Sequence, residues 1–261
     1  MEISMKNVVF FNMSGIYQKQ EFYKKAVGEH AHIIQGQHIK GTDCYCDDEA
    51  VKQLEENIGN ESEYGIHYLD SGNYHYISYL WLKKIKRLFE LVLFDNHPDM
   101  QPSLFGDILS CGGWVKDALE KCDCLKHVLC IGVNEELLSE EMKQYENVTF
   151  ISRQQIEKQN VNELISMIAK EHHEGLPVYI SVDKDVLNEN EITTNWDQGT
   201  LTKEQLFAAL RYIFSEREVL GMDICGEPSE EDGDCEEIIN KSSELNSQFM
   251  YFINNLEKNE R

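Results

Sequence analysis

Short apolar runs alternate with longer amphipathic stretches along almost the whole chain. Strands are predicted over 7–12, 32–34, 65–69, 91–95, 126–132, 147–151, 177–183 and 217–224. Several, such as Leu91–Phe94 and Val178–Val182, are nearly continuous in apolar residues, as expected of parallel strands buried on both faces. Between them, helical periodicity predicts helices over 20–27, 49–58, 75–88, 114–121, 135–145, 160–172, 202–215 and 238–257. Asp47 or Asp48 stands where it can cap the second helix, and Thr202 where it can cap the seventh. A short oxygen-bearing side chain there accepts from the free N–H groups of the first turn. The stretches 36–46 and 100–110 show no period and read as loops. Strand–helix alternation without a Pro/Gly-rich linker predicts one α/β domain over residues 1–261, with a mainly parallel sheet and helices on both faces.

Composition narrows the function. Hydrophobic residues make up 41% of the 261, ample for a core. The chain carries 47 acids against 24 bases, a formal charge of −23. That balance excludes nucleic acid and anionic membrane as partners, since both demand basic surface. No apolar run approaches the ~18–20 residues of a spanning helix. The start, Met1 to Asn7, lacks the basic segment and apolar run of a secretory leader. A soluble, cytoplasmic protein with reduced thiols is expected. Cys44-x-Cys46 and Cys122-x-Cys124 lack the two-residue spacer of zinc knuckles and read as ordinary thiols.

The chemistry gathers at strand ends. The run Leu91–Phe94 leads into Asp95, His97 and Asp99, at i, i+2 and i+4. Extended backbone points such residues to one side. The run Val178–Val182 leads into Asp183 and Asp185 in the same way. His75 lies in the turn that follows strand 65–69, at the same edge of the sheet. Open α/β sheets keep their sites at the C-terminal ends of their strands. A solvated acidic loop would need no apolar approach, whereas several buried carboxylates demand a cation.

Five segments, in order, resemble motifs of the arginase (ureohydrolase) family, which includes arginase, agmatinase and formimidoylglutamase. They are Gly72-Asn73-Tyr74-His75, Asp95-Asn96-His97-Pro98-Asp99, Ser181-Val182-Asp183-Lys184-Asp185, Gln198-Gly199-Thr200-Leu201-Thr202 and Asp223-Ile224-Cys225-Gly226-Glu227. The resemblance runs from about residue 65 to the C-terminus, and the first 60 residues fit the family's opening strands. It implies a three-layer αβα fold and two Mn2+ ions per chain. His75, Asp95, Asp99 and Asp183 would hold one ion, and His97, Asp95, Asp183 and Asp185 the other. Asp95 and Asp183 would bridge, so Asp95, His97 and Asp183 form the implied catalytic centre. Carboxylate and imidazole donors suit Mn2+ better than thiolate-seeking metals. Two such ions can share a water and bring its pKa toward neutrality. The resulting nucleophile would attack a planar C–N carbon in a guanidino, amidino or amide compound. Glu227 would take the cationic end of the substrate, with Asp223 as the other candidate. Trp196 is expected as pocket wall against the ligand.

The chain also departs from the family. Arginases carry a histidine in the loop after the Asp-x-His-x-Asp motif, whereas here Asp107–Trp114 has none. Cys111 or Ser110 lies nearest that position, and Cys111 is taken as the substrate-facing candidate. Met100-Gln101-Pro102-Ser103 differs from the loop that grips the amino-acid end of arginine, and Tyr74 replaces a usual aspartate. These changes leave the ligand set whole and weaken the expectation of arginine as substrate. His30, His32, His38, His67, His127, His172 and His173 read as structural. Two other readings compete with the small-molecule hydrolase. One is a metal-binding pseudoenzyme or regulatory protein, and the other a deacetylase-like hydrolase with one zinc. The family's assemblies make a homo-oligomer possible here.

Overall fold

A computed structural model describes residues 7–27, 31–103, 106–171, 175–229 and 235–259. Eight of the apolar runs lie side by side in one sheet. They are β1 (Val8–Asn12), β2 (His32–Gln35), β4 (Ile66–Tyr68), β5 (Phe89–Phe94), β7 (Leu125–Val133), β8 (Val148–Ser152), β9 (Val178–Asp183) and β10 (Val219–Cys225). Their order is β2-β1-β4-β10-β9-β5-β7-β8, and every pairing is parallel. The chain starts near one edge, reaches the other at β8, and returns to fill the middle with β9 and β10.

Alternate side chains leave the sheet on opposite faces, and each face is covered by helices. On one side Phe10, Tyr68, Phe94, Ile180 and Ile224 pack with α1 (Glu21–Val27), α6 (Val161–Glu171), α7 (Lys203–Glu216) and α8 (Glu236–Asn259). On the other, Phe11, Leu91, Leu93 and Tyr179 pack with α2 (Asp48–Ile58), α3 (Ile77–Leu82) and α4 (Trp114–Lys121). These are the three layers of the expected αβα fold. Of the two candidate caps on α2, Asp47 does the work, its carboxylate accepting from Ala50 N at 2.9 Å. Thr202 caps α7 in a reciprocal box with Gln205. Among the described residues, no helix is long and apolar enough to cross a membrane.

The predicted helix over 75–88 is shortened to α3. A 3-10 turn, Gly72–Tyr74, precedes it, and the chain turns away after Leu82 to feed β5. The predicted helix over 135–145 is replaced by two 3-10 turns, Glu135–Leu137 and Met142–Gln144. Four glutamates crowd this stretch, and neither Leu137 nor Leu138 is buried, so there is no apolar face to reward a full helix. A short helix, α5 (Arg153–Ile156), follows β8 on a Ser152/Gln155 capping box that the sequence reading did not use. The loops 36–46 and 100–110 meet in a small antiparallel ladder. Strand β3 (Tyr45–Cys46) pairs there with β6 (Leu109–Ser110). His30, His172 and His173 lie outside the described residues.

Candidate functional site

The register of the sheet assembles the site. Phe94 of β5 pairs with Val182 of β9, so the next residues, Asp95 and Asp183, emerge side by side. Cys225 at the end of β10 pairs with Asp183, and β4 on the far side of β10 leads to His75. The site therefore spans the C-terminal ends of four adjacent strands, β4, β10, β9 and β5. His75 Nδ1 lies 3.1 Å from Asp99 Oδ2, 3.3 Å from Asp95 Oδ2 and 3.5 Å from Asp183 Oδ2. His97 Nδ1 lies 2.9 Å from Asp185 Oδ2 and 3.5 Å from Asp95 Oδ1. Asp95 thus turns one oxygen to each histidine. Two groups of metal-type donors result, His75/Asp95/Asp99 and Asp95/His97/Asp185, each with ligand atoms within 4.8 Å of one another. A third group, His75/Asp183/Cys225, adds a thiol that the sequence reading passed over.

Backbone groups hold the carboxylates in place. His97 N donates to Asp95 Oδ1 at 2.6 Å, Asn96 N to Asp185 Oδ1 at 3.0 Å, and Asp185 N to Asp183 Oδ1 at 2.9 Å. Asp95 Oδ2 is buried with no hydrogen-bond partner. Asp99 adopts φ +47°, a left-handed conformation that aspartate tolerates better than most residues. Its Oδ2 accepts from Trp114 Nε1 at 2.6 Å. Ser181 Oγ donates to Asp223 Oδ1 at 2.6 Å, so it is left to accept from His75 Nε2, 2.9 Å away. That chain keeps a proton on Nε2 and turns Nδ1, the nitrogen left for a metal, toward the carboxylates. Ser181, Asp223 and Trp114 are positioning residues that motif spacing did not single out for this role.

Burial and crowding set the electrostatics. Burial, reinforced by the Asp185 and Asp95 charges, pushes the Asp183 carboxyl up to about 8. Burial and the Asp95 charge push Asp185 up to about 6. For His97, burial opposes the charged form, but hydrogen bonds and charges from Asp185 and Asp95 outweigh it and hold the imidazole up to about 12. His75 is held well above its ordinary value by Asp95 and Asp99 against the same opposition from burial. Without a cation, Asp183, Asp185, His75 and His97 hold protons more tightly than they would in water.

A cleft of about 230 Å³ opens over these donors. Trp196, 40% exposed, stands on its rim with its ring 5.7 Å from that of His97, and its Nε1 donates to Asn73 Oδ1 at 2.9 Å. Cys111 also lines the cleft, with Cys44, Tyr45 and Gln101. The expected role of Glu227 is not supported by its position. It does not line the cleft and is fully buried beneath the site. Its Oε1 accepts from Lys184 Nζ at 2.6 Å and Asn246 Nδ2 at 2.7 Å, and its Oε2 from Gln20 Nε2 at 2.6 Å and from Ser242 Oγ. No oxygen is left to face a substrate. Asp223, the other candidate, is turned inward to Ser181.

Gly226 separates Glu227 from the site and has φ +88°. A Cβ there would sit 2.4 Å from Asp183 Oδ1 and 2.8 Å from Lys184 N. Gly226→Ala is therefore expected to displace Asp183 and weaken divalent-metal binding at this cluster by about tenfold or more, read by metal titration. An unchanged affinity would show that this close approach is not needed.

A three-layer α/β fold with carboxylates and imidazoles gathered at its strand ends defines a recognisable class. The model of the arginase family matches residues 11–233, and the chain belongs to that family. The match begins well before residue 65, so the opening strands belong to the likeness as well. A protein of Thermotoga maritima, described only as uncharacterized, is 32% identical over 225 residues, covering 85% of this chain and 80% of its own length. Among solved structures, proclavaminate amidino hydrolase from Streptomyces clavuligerus superposes with a TM-score of 0.70 at 14% identity, covering 95% of this chain and 91% of the other. A Trypanosoma cruzi formiminoglutamase variant, solved with Mn2+, does so with a TM-score of 0.70 at 11% identity, covering 98% and 95%. At these identities the structural likeness speaks to fold. Family membership supports a metal-dependent amidino hydrolase.

Proposed function

We propose that this protein is a two-manganese hydrolase that cleaves a C–N bond of a small guanidino, amidino or amide compound. The observation that carries the reading is Asp95, shared between two donor groups, with Oδ1 turned to His97 and Oδ2, buried and without a hydrogen bond, turned to His75. An orphaned buried carboxylate oxygen is costly unless something positive meets it. The donor set is oxygen and imidazole, which fits manganese. His75, Asp95, Asp99 and Asp183 would hold one ion, and His97, Asp95, Asp183 and Asp185 the other. Bound there, the ions would supply a water acidic enough to be deprotonated near neutral pH and charge to stabilise the transition state. The chain does the rest. Ser181 and Asp223 hold His75 in its ligating tautomer, Trp114 fixes Asp99, and Trp196 screens the His97 side from solvent. Cys111 contributes to the wall that the substrate meets. Family membership does not favour the alternative of a metal-binding protein without chemistry.

The test is release of urea, ammonia or amine from a panel of guanidino, amidino and amide compounds, with manganese and with EDTA. Manganese-dependent release from at least one compound class is expected, with arginine not the preferred one. No release from any class would overturn the reading.

A pH dependence follows from the proton-loaded cage. Asp183 and Asp185 have folded pKa values raised above the unfolded one, so the folded, metal-free protein holds protons that the unfolded chain has lost. The stabilisation from those groups is present at low pH and falls as pH rises from about 4 through 6 to 8. Manganese must displace the same protons, so its binding strengthens over that window. The gap in Tm between manganese-loaded and EDTA-treated protein is expected to widen from pH 6 to pH 8. It should reach about 5–10 °C at a hundredfold excess of metal over Kd. A gap that is flat or shrinks with pH would contradict the assigned ligands.

A further inference from the structure

Two cysteines that the proposed chemistry does not use as ligands face each other on the cleft wall. Cys44 ends the loop that leads into β3, and Cys111 follows β6. Tyr45 pairs with Ser110 in the antiparallel ladder, and just beyond its end Cys111 N donates to Cys44 O at 2.9 Å, so the two backbones stay adjacent there. Hydrogen-bonded neighbours across such a ladder have Cα atoms about 5.5 Å apart. A disulfide spans Cα separations of about 4.4–6.8 Å. The two thiols are near enough that Cys111 draws the Cys44 thiol down and Cys44 pushes the Cys111 thiol up. Cys44 is partly exposed and takes φ +58°, unusual for a residue with a side chain, whereas Cys111 is buried behind it.

We propose that Cys44 and Cys111 form a reversible disulfide across the wall of the cleft. The asymmetry of the pair sets the order of events. The hydrogen bond from Cys111 draws the Cys44 thiol below its ordinary pKa, which favours thiolate at the accessible sulfur. The Cys44 thiolate attacks one sulfur of a disulfide oxidant such as oxidised glutathione, breaks the S–S bond and releases one glutathione thiolate. That thiolate takes up the proton that Cys111 loses. Cys111 then attacks Cys44 Sγ and expels the second glutathione. Two protein thiols are oxidised and one glutathione disulfide is reduced to two thiols. Both cysteines line the cleft, so the bond ties the loop before β3 to the turn after β6 across its wall. Oxidation is thereby registered where a substrate enters.

The experiment uses the full-length, manganese-loaded protein and needs no known substrate. It is titrated with oxidised glutathione, blocked with iodoacetamide, digested without reductant and mapped by mass spectrometry. Cys235, the exposed cysteine, reports that the oxidant is effective by taking up glutathione. The expected result is a peptide pair joining Cys44 to Cys111, lighter by two hydrogens and carrying no glutathione, which dithiothreitol returns to two thiols. In Cys111→Ser, Cys44 should stop at a mixed disulfide, near one glutathione at that residue in addition to the one on Cys235. In Cys44→Ser, Cys111 should stay free, so either variant serves if the other fails to fold. The proposal is overturned if wild-type Cys235 is modified while Cys44 and Cys111 both remain alkylatable. It is also overturned if Cys44 in the wild type accumulates glutathione as the variant does, or if Cys44 pairs with Cys46.

Discussion

Asp95→Asn is expected to abolish manganese binding at both donor groups and to cut turnover on the order of a thousandfold. The metal charge at such a site is worth several kcal/mol to the transition state, and each ~1.4 kcal/mol is a factor of ten. A ligand held by one group alone would cost one ion. Asp95 offers Oδ2 to His75 and Oδ1 to His97, so its loss reaches both. The folded state should not suffer. Asparagine keeps an oxygen that can accept from His97 N, as Asp95 Oδ1 does at 2.6 Å. It also removes one charge from a buried group that includes Asp99, Asp183 and Asp185. The metal-free variant should therefore unfold at or above the temperature of metal-free wild type, while added manganese no longer raises it. Thermal unfolding with and without manganese reads both halves. A variant still stabilised by manganese to the wild-type extent would remove Asp95 from the shared position.

Lys184→Ala is expected to be the most destabilising change near the site, although Lys184 touches no proposed ligand side chain. Lys184 is fully buried, and its ammonium sits 2.6 Å from Glu227 Oε1 with Ser242 and Asn246 completing its shell. Removing one partner of a buried ion pair strands the other charge and costs about 3–5 kcal/mol. For a chain of this size that lowers Tm on the order of 10 °C. The companion variant Glu227→Ala separates two roles for Glu227. A support beneath the site predicts a comparable loss of Tm. A substrate-facing carboxylate predicts an unchanged Tm with a raised KM. The second result would reinstate the role expected from the late-strand motif.

The gathering of donor side chains at the strand ends was legible because it is local. Asp95, His97 and Asp99 sit on one segment and Asp183 and Asp185 on another, each directly behind an apolar strand, and parallel register does the rest. His75 was legible from its turn at the same sheet edge. What escaped depends on distant partners. The oxygens of Glu227 are taken by Gln20 and Asn246, 207 and 19 residues away, and no spacing rule shows that. The ladder joining Cys44 to Cys111 is only two residues per strand, too short to leave a period in loops 36–46 and 100–110. The failed helix over 135–145 has helical spacing but fully buries only Met142, so tertiary context outweighed propensity there.

The central claim is that two cations share Asp95. Its most direct test is titration of metal-free wild-type protein with manganese, counting ions bound per chain at saturation. The account predicts two, with Asp95→Asn binding none. One ion or none in the wild type, at a pH near 8 where manganese competes with fewer carboxyl protons on Asp183 and Asp185, would contradict it.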